Sequence, residues 1–296
     1  MAAVLGISCF YHDAAAALMV DGKVVAAAHE ERFTRKKQDE NFPAHAVNYC
    51  LNQAKLRLSQ LTAVAFYDKP FLKFERILVN SIETWPMGIT AFVPAMRTWL
   101  TKKLWVKSLL AEKLEGYEGE FYFPQHHMSH AASAFLVSPF EKSAILTMDG
   151  VGEWETATRG FGEGNKISLT DKIDFPNSLG LLYSAFTYYL GFKVNSAEYK
   201  VMGLAPYGKP RYLKRIKDEL IDIKPDGSFK MNMKYFAYPY ALKMTNEAFD
   251  GLMGGRARPL GFKPTQTEMD IAASIQAVTD EIMVKSAKNL YQQYKT

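Results

Sequence analysis

The sequence predicts an α/β protein made of two copies of one strand-and-helix unit, with the second copy truncated. The first half of the chain reads as β-β-β-α-β-α-β-α, and the segment after residue 142 begins again with three strand patterns and a helix. With 296 residues, 48% of them apolar, the chain can bury a core divided between two domains. We therefore expect one subdomain at residues 1–140 and a second, incomplete one at residues 141–296.

The first copy begins with the apolar run VLGISCF (4–10), which has no basic segment before it and so favours a core strand over a signal peptide. The strand patterns AAAALMV and KVVAAA then flank Asp21-Gly22, a strong hairpin signal. The remaining predicted elements are a charged loop at 29–43, a helix at 44–56, a strand at 61–68, a partly helical segment at 70–115, a strand at 120–125 and an Ala-rich helix at 130–138.

The second copy repeats the opening and then departs from it. Its predicted elements are strands at 143–149, 153–161 and 166–174, a helix at 178–192, a long excursion at 193–266 and a helix at 267–294. No later parallel strands follow, and a half-built sheet would have an open edge. We expect the sequence to be part of a longer protein; the alternative is a divergent second domain that closes with the last helix.

Each predicted meander has a tight loop after its first strand, where backbone N–H groups can meet a phosphate. Two such units that face each other across a cleft are the plan of the actin-like ATPase and sugar-kinase (ASKHA) architecture. The predicted fold is therefore a duplicated actin-like β-β-β-α-β-α-β fold with a truncated second copy.

Composition excludes several classes of function. Cys9 and Cys50 are the only cysteines, so neither a disulfide framework nor a cysteine-based zinc site is supported. The net charge of +5 is too weak to argue for nucleic-acid binding. The most apolar stretch (85–100) is too short to cross a bilayer and is broken by Pro86 and Pro94. We expect no nucleic-acid or membrane partner and a reducing, cytoplasmic setting.

The stretch HHMSHAASAF (126–135) is the strongest candidate for a metal site. His126 and His130 are four residues apart, and they share a helix face if the helix begins by residue 126. Imidazole suits Fe, Zn, Ni and Cu, and Asp149, at the end of a predicted strand, is a candidate third ligand. The alternative is that the two histidines only pack; His127 is expected to support the site or to pack.

Two loops are candidates for binding the ligand. In DGVGEW, Gly150 and Gly152 permit backbone geometry that leaves N–H groups for an anion, although an ordinary tight turn would look the same. In FYHDAA, His12 is placed to bind phosphate or substrate, or to act as acid or base, while a structural role is the alternative.

Two further segments are rich in charge and glycine. HEERFTRKK (29–37) is either a solvated charged loop or an anion-binding loop. NSAEYKVMGLAPYGKP (195–210) is either an element that lines the cleft or a structural Ω-loop. We interpret the tryptophans of the 70–115 insertion as packing residues rather than an acceptor groove, and a homodimer through this insertion is compatible with the sequence.

Four motifs in order, GISCFYHDAAAALMVDGKVVAAAHEERFTRKK, HHMSHAASAF, MDGVGEWET and EYKVMGLAPYG, resemble the NodU/CmcH family of O-carbamoyltransferases. The likeness covers nearly the whole chain. The N-terminal part of that family is similar to the Kae1 proteins, which have the actin-like fold and an HxxxH iron site.

The resemblance implies a reaction in two steps. ATP and carbamoyl phosphate would form carbamoyl-adenylate at a separate C-terminal YrdC-like domain. The Kae1-like domain would then transfer the carbamoyl group to a hydroxyl of a small-molecule or sugar acceptor at a metal centre. Carried over by motif, His126, His130 and Asp149 would be metal ligands, with Fe²⁺ the expected ion and another divalent metal as the alternative.

Other roles carried over by motif concern the ligand. His12 would contact the carbamoyl-adenylate or the acceptor and serve as general base, Lys36 or Lys37 would meet the phosphate, and Gly150 and Gly152 would belong to the nucleotide-facing loop. In the family a further Asp ligand, a nucleotide-binding segment and the YrdC-like domain follow downstream. We therefore expect that these 296 residues alone do not complete the reaction.

Two other functions stay open at this point. In an actin-like sugar kinase or ATPase, Asp13 or Asp149 would handle Mg²⁺ and the histidine pair would be structural. In a non-catalytic binding module of the same fold, neither nucleotide nor metal would bind.

Overall fold

The computed structural model describes residues 1–296 and has two compact units. Unit 1 comprises Met1–Phe74 and Pro94–Ser129, and unit 2 comprises Glu75–Val93 and His130–Thr296. The subdomains 1–140 and 141–296, which were predicted from the repeat, stay a prediction.

Strands and helices alternate along the chain, which makes the protein a mixed α/β protein. The strands are β1 (Ala3–Ser8), β2 (Ala15–Val20), β3 (Lys23–His29), β4 (Ala63–Phe66), β5 (Glu120–Tyr122), β6 (Lys142–Met148), β7 (Glu155–Glu163), β8 (Lys166–Asp174), β9 (Ile221–Ile223) and β10 (Phe229–Met231). The helices are α1 (Glu31–Thr34), α2 (Ala44–Ala54), α3 (Pro70–Glu83), α4 (Ile89–Thr101), α5 (Val106–Lys113), α6 (His126–Phe135), α7 (Leu179–Tyr189), α8 (Glu198–Leu204), α9 (Leu213–Glu219), α10 (Glu247–Met253) and α11 (Gln266–Tyr294).

Unit 1 contains a five-stranded sheet in the order β3-β2-β1-β4-β5. The predicted hairpin at Asp21-Gly22 is confirmed, because both residues have positive φ (47° and 77°), as a tight hairpin turn requires. Strand β1 is antiparallel to β2 and parallel to β4, and β4 is parallel to β5. The apolar side chains of Leu5 and Ile7 are buried beneath α2 and α5 in the core of this unit.

The parallel pairing places the carboxyl ends of β1, β4 and β5 at one edge of the sheet. The segments that leave this edge are Cys9–Asp13, Tyr67–Lys69 and Phe123–Gln125. In open sheets with parallel strands, ligands bind at the carboxyl ends of the strands. Two of the predicted functional groups, His12 and the start of α6, therefore follow strands that end at the same edge.

Unit 2 contains the antiparallel meander β6-β7-β8, the β9-β10 hairpin and the 29-residue helix α11. The side chains of Phe186 (α7), Phe249 (α10) and Ile275 (α11) are fully buried in its core. Helix α7 begins at a regular N-cap, where the Ser178 hydroxyl accepts a hydrogen bond from Leu181 N at 2.9 Å.

Two local predictions need correction. The predicted charged loop 29–43 contains α1, and the predicted helix 130–138 begins earlier, at His126. Pro124 keeps the chain extended up to residue 123, and Ser129 N then donates to Gln125 O at 2.9 Å, so the first helical turn forms around the histidines. The excursion at 193–266, for which the sequence predicted no internal elements, contains α8 to α10 and the β9-β10 hairpin.

None of the helices combines the length and the apolar character that crossing a bilayer requires.

Candidate metal centre and its surroundings

Helix α6 carries both candidate histidines, and because it begins at His126 they lie one turn apart on one face. The hydroxyl of Ser129 donates to Tyr67 O at 3.0 Å, which ties the first turn of the helix to the segment after β4. The Tyr67 ring meets the His126 ring edge-on, with 5.6 Å between centroids. His127 is buried, as expected for a residue that packs.

Asp149 directly follows β6, and its backbone is held on two sides. Its N–H donates to Thr156 O at 2.8 Å, and the neighbouring Gly150 O accepts the Ser178 hydroxyl at 2.6 Å. A Cβ on Gly180, in the first turn of α7, would lie only 2.6 Å from Asp149 O. The end of β6 and the start of α7 therefore fit together only with glycine at position 180. This contact fixes the backbone position from which the Asp149 side chain projects.

The three candidate ligands converge. His130 Nε2 lies 3.6 Å from Asp149 Oδ2, and the ligand atoms of His126, His130 and Asp149 all lie within 4.8 Å of one another. Metal bonds of about 2.0–2.2 Å at tetrahedral angles separate two ligand atoms by about 3.4 Å. Small side-chain rotations would thus bring all three donors onto one ion, and two imidazoles with a carboxylate suit a divalent transition metal. The donor set fits a metal.

The ligand atoms are accessible as well as close. The side chains of His130 and Asp149 are 46% and 32% exposed. A structural metal site is normally closed by four protein ligands, whereas a catalytic site keeps open positions for water or substrate. A three-residue donor set with this exposure is of the open kind.

The glycine loop after Asp149 differs from its prediction. Gly150 N donates to Asp149 Oδ1 at 2.6 Å, and Gly152 N donates to Glu155 O at 2.9 Å. Both N–H groups therefore have acceptors within the loop, and phosphate binding through them would require these hydrogen bonds to be exchanged.

His12 lies in the loop after β1, where its Nδ1 is 2.8 Å from the Asp13 carboxylate. When Asp13 accepts a hydrogen bond from Nδ1–H, the lone pair of the neutral imidazole is at Nε2, the arrangement that a general base needs. Phe10 and Asp13 have positive φ (67° and 48°). The loop is therefore held in a conformation that few residues adopt without support.

That support comes from the segment after the RKK sequence. Phe10 N donates to Glu40 O and Ala14 N donates to Asp39 O, both at 2.7 Å. The His12 loop and the loop of Lys36 and Lys37 therefore lie side by side in unit 1. Hydrogen bonding from Asn41 N–H lowers the pKa of the buried Asp39 carboxyl, so this anchor carries its charge at neutral pH.

The two lysines of the RKK sequence have different surroundings. Lys36 Nζ is 3.6 Å from the Asp39 carboxylate, whereas Lys37 has no carboxylate within ion-pair distance. Glu30, in the same charged run, is buried and structural, since its carboxylate accepts hydrogen bonds from His45 N and Ala46 N at the start of α2. Within the charged run, Glu30 therefore supports the start of α2, whereas Lys37 is an exposed cation.

Contacts with α11 account for the segment 195–210. A Cβ on Gly208 would lie 2.0 Å from Met269 O, and Lys209 N donates to Asp270 Oδ1 at 2.8 Å. Glu198 accepts hydrogen bonds from Asn195 N and the Ser184 hydroxyl. Of the two interpretations that the sequence left open, a structural role explains these contacts, although the segment contains helix α8 and is not an Ω-loop.

The tryptophans of the insertion do not share one role. Trp99 is buried against Phe74, with 6.0 Å between ring centroids, as predicted. Trp85 and Trp105 are exposed, so the packing prediction was wrong for these two.

Sequence reasoning missed the polar residues that follow β4. Asp68 is buried and pairs with Lys73, whose Nζ lies 2.5 Å from the carboxylate. The available signal was the position of Asp68, just past a strand parallel to β1.

Comparison with known proteins identifies the family. The profile described as "Carbamoyltransferase N-terminus" matches residues 3–296. The chain belongs to this carbamoyltransferase family. The membership predicted from the four motifs is thus confirmed.

Two curated relatives show how far the similarity extends. The Synechocystis protein sll1178 is 49% identical over 99% of this chain, which spans 49% of that relative. The nodulation protein NolNO of Sinorhizobium fredii is 33% identical over 93% of this chain, which spans 38% of it. The chain therefore spans about half, or less, of the length of these carbamoyltransferase-family relatives.

Among solved structures, the Aquifex aeolicus Ppx/GppA phosphatase aligns with 98% of this chain and 93% of its own, at 11% identity and a TM-score of 0.35. A score this low supports no conclusion about the fold.

Proposed function

We propose that this chain is the N-terminal part of an ATP-dependent O-carbamoyltransferase. The reaction is transfer of a carbamoyl group from carbamoyl-adenylate, made from carbamoyl phosphate and ATP, to a hydroxyl of a small-molecule or sugar acceptor. The observation that carries the proposal is the convergence of His126, His130 and Asp149 in a chain that belongs to a carbamoyltransferase family.

The three donors would hold Fe²⁺ or another divalent ion. When bound, the ion supplies a Lewis acid that polarises the carbamoyl oxygen. The chain orients the donors. Helix α6 sets the spacing of the two imidazoles, and the Gly180 contact fixes the backbone position of Asp149.

His12 is the proposed general base. Its Nε2 accepts the proton of the acceptor hydroxyl, and the Asp13 carboxylate stabilises the imidazolium that forms. The deprotonated oxygen attacks the carbamoyl carbon, and AMP leaves as an anion. Lys37 is better placed than Lys36 to bind the phosphate of the nucleotide, because Lys36 already has the Asp39 carboxylate as a counter-charge.

The proposal also covers the actin-like fold and the need for a separate YrdC-like domain. The meander-helix openings of units 1 and 2 are consistent with a duplicated actin-like plan. The carbamoyl-adenylate would be made at a separate YrdC-like domain, so these 296 residues alone would not form product from carbamoyl phosphate, ATP and an acceptor. Robust product formation by this chain alone would contradict that part of the proposal.

Metal analysis of the purified protein tests the proposal. We expect about one iron or other divalent ion per chain, falling to roughly a tenth or less in His126→Ala and in His130→Ala, since each change removes a ligand. His29→Ala, an exposed histidine on β3, is the matched control and should keep the metal. Metal content that survives both ligand variants would favour a kinase or ATPase that uses Asp13 or Asp149 for Mg²⁺. Failure to bind either metal or nucleotide would favour a binding module.

A further inference from the structure

Two lysines surround the residue next to the proposed base. Lys103 Nζ is 5.3 Å and Lys73 Nζ is 5.9 Å from the centre of the Tyr11 ring. The Tyr11 and His12 rings are 4.5 Å apart between centroids. These distances place both ammonium groups within about 10 Å of the His12 ring centre, at the carboxyl edge of the parallel strands in unit 1.

The two lysines are not equivalent. Lys73 is neutralised by the buried Asp68 carboxylate. The Lys103 ammonium contacts aromatic faces, those of Tyr11 and of Trp99 at 5.6 Å, and forms no ion pair. Cation–π contacts of this kind are weak and do not replace a counter-ion.

The carboxylates near Lys103 do not fully balance its positive charge. Burial and the neighbouring Lys73 lower the pKa of Lys103 against the opposing effect of Asp68 and Glu40. A negatively charged group placed between the two ammonium groups would relieve both the repulsion and the loss of hydration.

We propose that Lys103 and Lys73, over the Tyr11 ring, form a subsite for an anionic group (a carboxylate, phosphate or sulfate) of the acceptor. The inference rests on the proposed function, since it takes His12 to be the base that meets the acceptor hydroxyl. It narrows the acceptor class to hydroxyl compounds that also carry a negative charge.

The position of the lysines in the chain supports the acceptor over the nucleotide as the source of the anion. Both belong to the insertion between β4 and β5, Lys73 on α3 and Lys103 just after α4. The lysines proposed for the nucleotide phosphate, Lys36 and Lys37, lie on a different loop. An insertion is the part of a fold that changes most readily with the substrate.

Stabilisation of the purified protein by inorganic phosphate tests the subsite without turnover and without metal. Melting temperatures are measured across a phosphate series at constant ionic strength, after chelator treatment, and converted to dissociation constants. We expect Lys103→Met to weaken phosphate binding at least about tenfold, since a charge-assisted hydrogen bond is lost. Lys103→Arg should retain binding, and the exposed neighbour variant Lys102→Met should match the unmodified protein.

A parallel AMP titration distinguishes the source of the anion. We expect Lys103→Met to leave AMP affinity within about twofold, and Lys37→Met to lower it about tenfold. Equal phosphate affinity in Lys103→Met and the unmodified protein would overturn the subsite, and an equal loss of AMP and phosphate affinity would overturn its assignment to the acceptor. Neither result depends on metal content, so failure here is distinguishable from failure of the proposed function.

Discussion

The carboxyl edge of the sheet in unit 1 and the 205–211 loop in unit 2 are both rich in lysine, glycine or histidine, yet their polar groups have different surroundings. In the loop, Lys209 N and Arg211 both meet the buried Asp270 carboxylate, and Gly208 touches the backbone of α11. At the sheet edge, Lys103 and Lys37 have no ion-pair partner and His12 is half-exposed.

The difference is informative because a partly buried charge without a protein counter-ion, such as Lys103, costs free energy, and a fold retains it where a ligand supplies the partner. Polar groups that are satisfied by the protein itself serve stability. The comparison therefore makes opposite predictions for the two regions: changes in the loop should cost stability, and changes at the edge should cost binding or catalysis.

The largest effect on stability is expected for Gly208→Ala. The added methyl carbon would lie 2.0 Å from Met269 O, which forces the loop away from α11. We expect a loss of about 3 kcal/mol or more in the free energy of unfolding, measured with denaturant. Gly203→Ala is the control, because its methyl group meets nothing within 4 Å and it lies within α8; it should stabilise by about 0.5–1 kcal/mol. Equal effects of the two changes would refute the packing role of Gly208.

At the sheet edge, Asp13→Asn should affect catalysis instead. Asparagine tolerates the positive φ of position 13 but cannot stabilise the imidazolium of His12. We expect kcat for carbamoyl transfer by the full-length protein to fall by roughly 10²–10⁴-fold while the free energy of unfolding changes by less than about 0.5 kcal/mol. Loss of folding together with activity would place Asp13 with the structural residues.

The acid sensitivity of α11 gives a third test. Burial alone would raise the pKa of Glu268, but hydrogen bonds from Thr265 and Arg258 outweigh it and lower the pKa. Because the folded-state pKa is below the unfolded value of about 4.3, this stabilisation is complete above that pH and is lost as the pH falls through the folded value.

Glu268→Gln should therefore lower the free energy of unfolding by about 1–2 kcal/mol at pH 7 and flatten its decline as the pH falls below the unfolded-state value of about 4.3. The exposed first-turn residue of α10 provides the control, and Glu247→Gln should leave both quantities unchanged. A pH profile of Glu268→Gln parallel to that of the unmodified protein would show that the carboxylate does not stabilise the helix.

The smallest expected effect is the difference in AMP affinity between variants of Lys36 and Lys37 in the RKK sequence. Lys37→Met should weaken AMP binding about tenfold, and Lys36→Met about threefold or less, since Lys36 is already paired with Asp39. Calorimetric titration measures both. A larger loss in Lys36→Met would reverse the assignment.

Local patterns predicted much of the fold. The Asp21-Gly22 turn, the opening strand β1 and the strand end at Asp149 depend on short-range signals, and the structure has each of them. The sequence missed α1 because a four-residue helix has no hydrophobic period, and it missed the order within 193–266 because that order depends on contacts with α11.

The candidate site was predictable only where residues are near in sequence or end a strand. His126 and His130 share a helix, and Asp149 was recognised at a strand end. The Lys73–Asp68 pair and Lys103 could not be predicted, because their relation to Tyr11 depends on the parallel pairing of β1 with β4 and on the return of the insertion. The hydrogen bonds of the Gly150 and Gly152 N–H groups could not be predicted either, because a glycine in a turn can have a free or a hydrogen-bonded amide.

X-ray absorption spectroscopy of the iron-loaded protein tests the central claim, that the α6 histidines and Asp149 bind one ion. The account predicts scattering from two imidazole rings and from oxygen ligands, with little bound iron in His130→Ala and the coordination shell unchanged in His29→Ala. A shell of oxygen ligands only, or one that His130→Ala leaves unaltered, would contradict it.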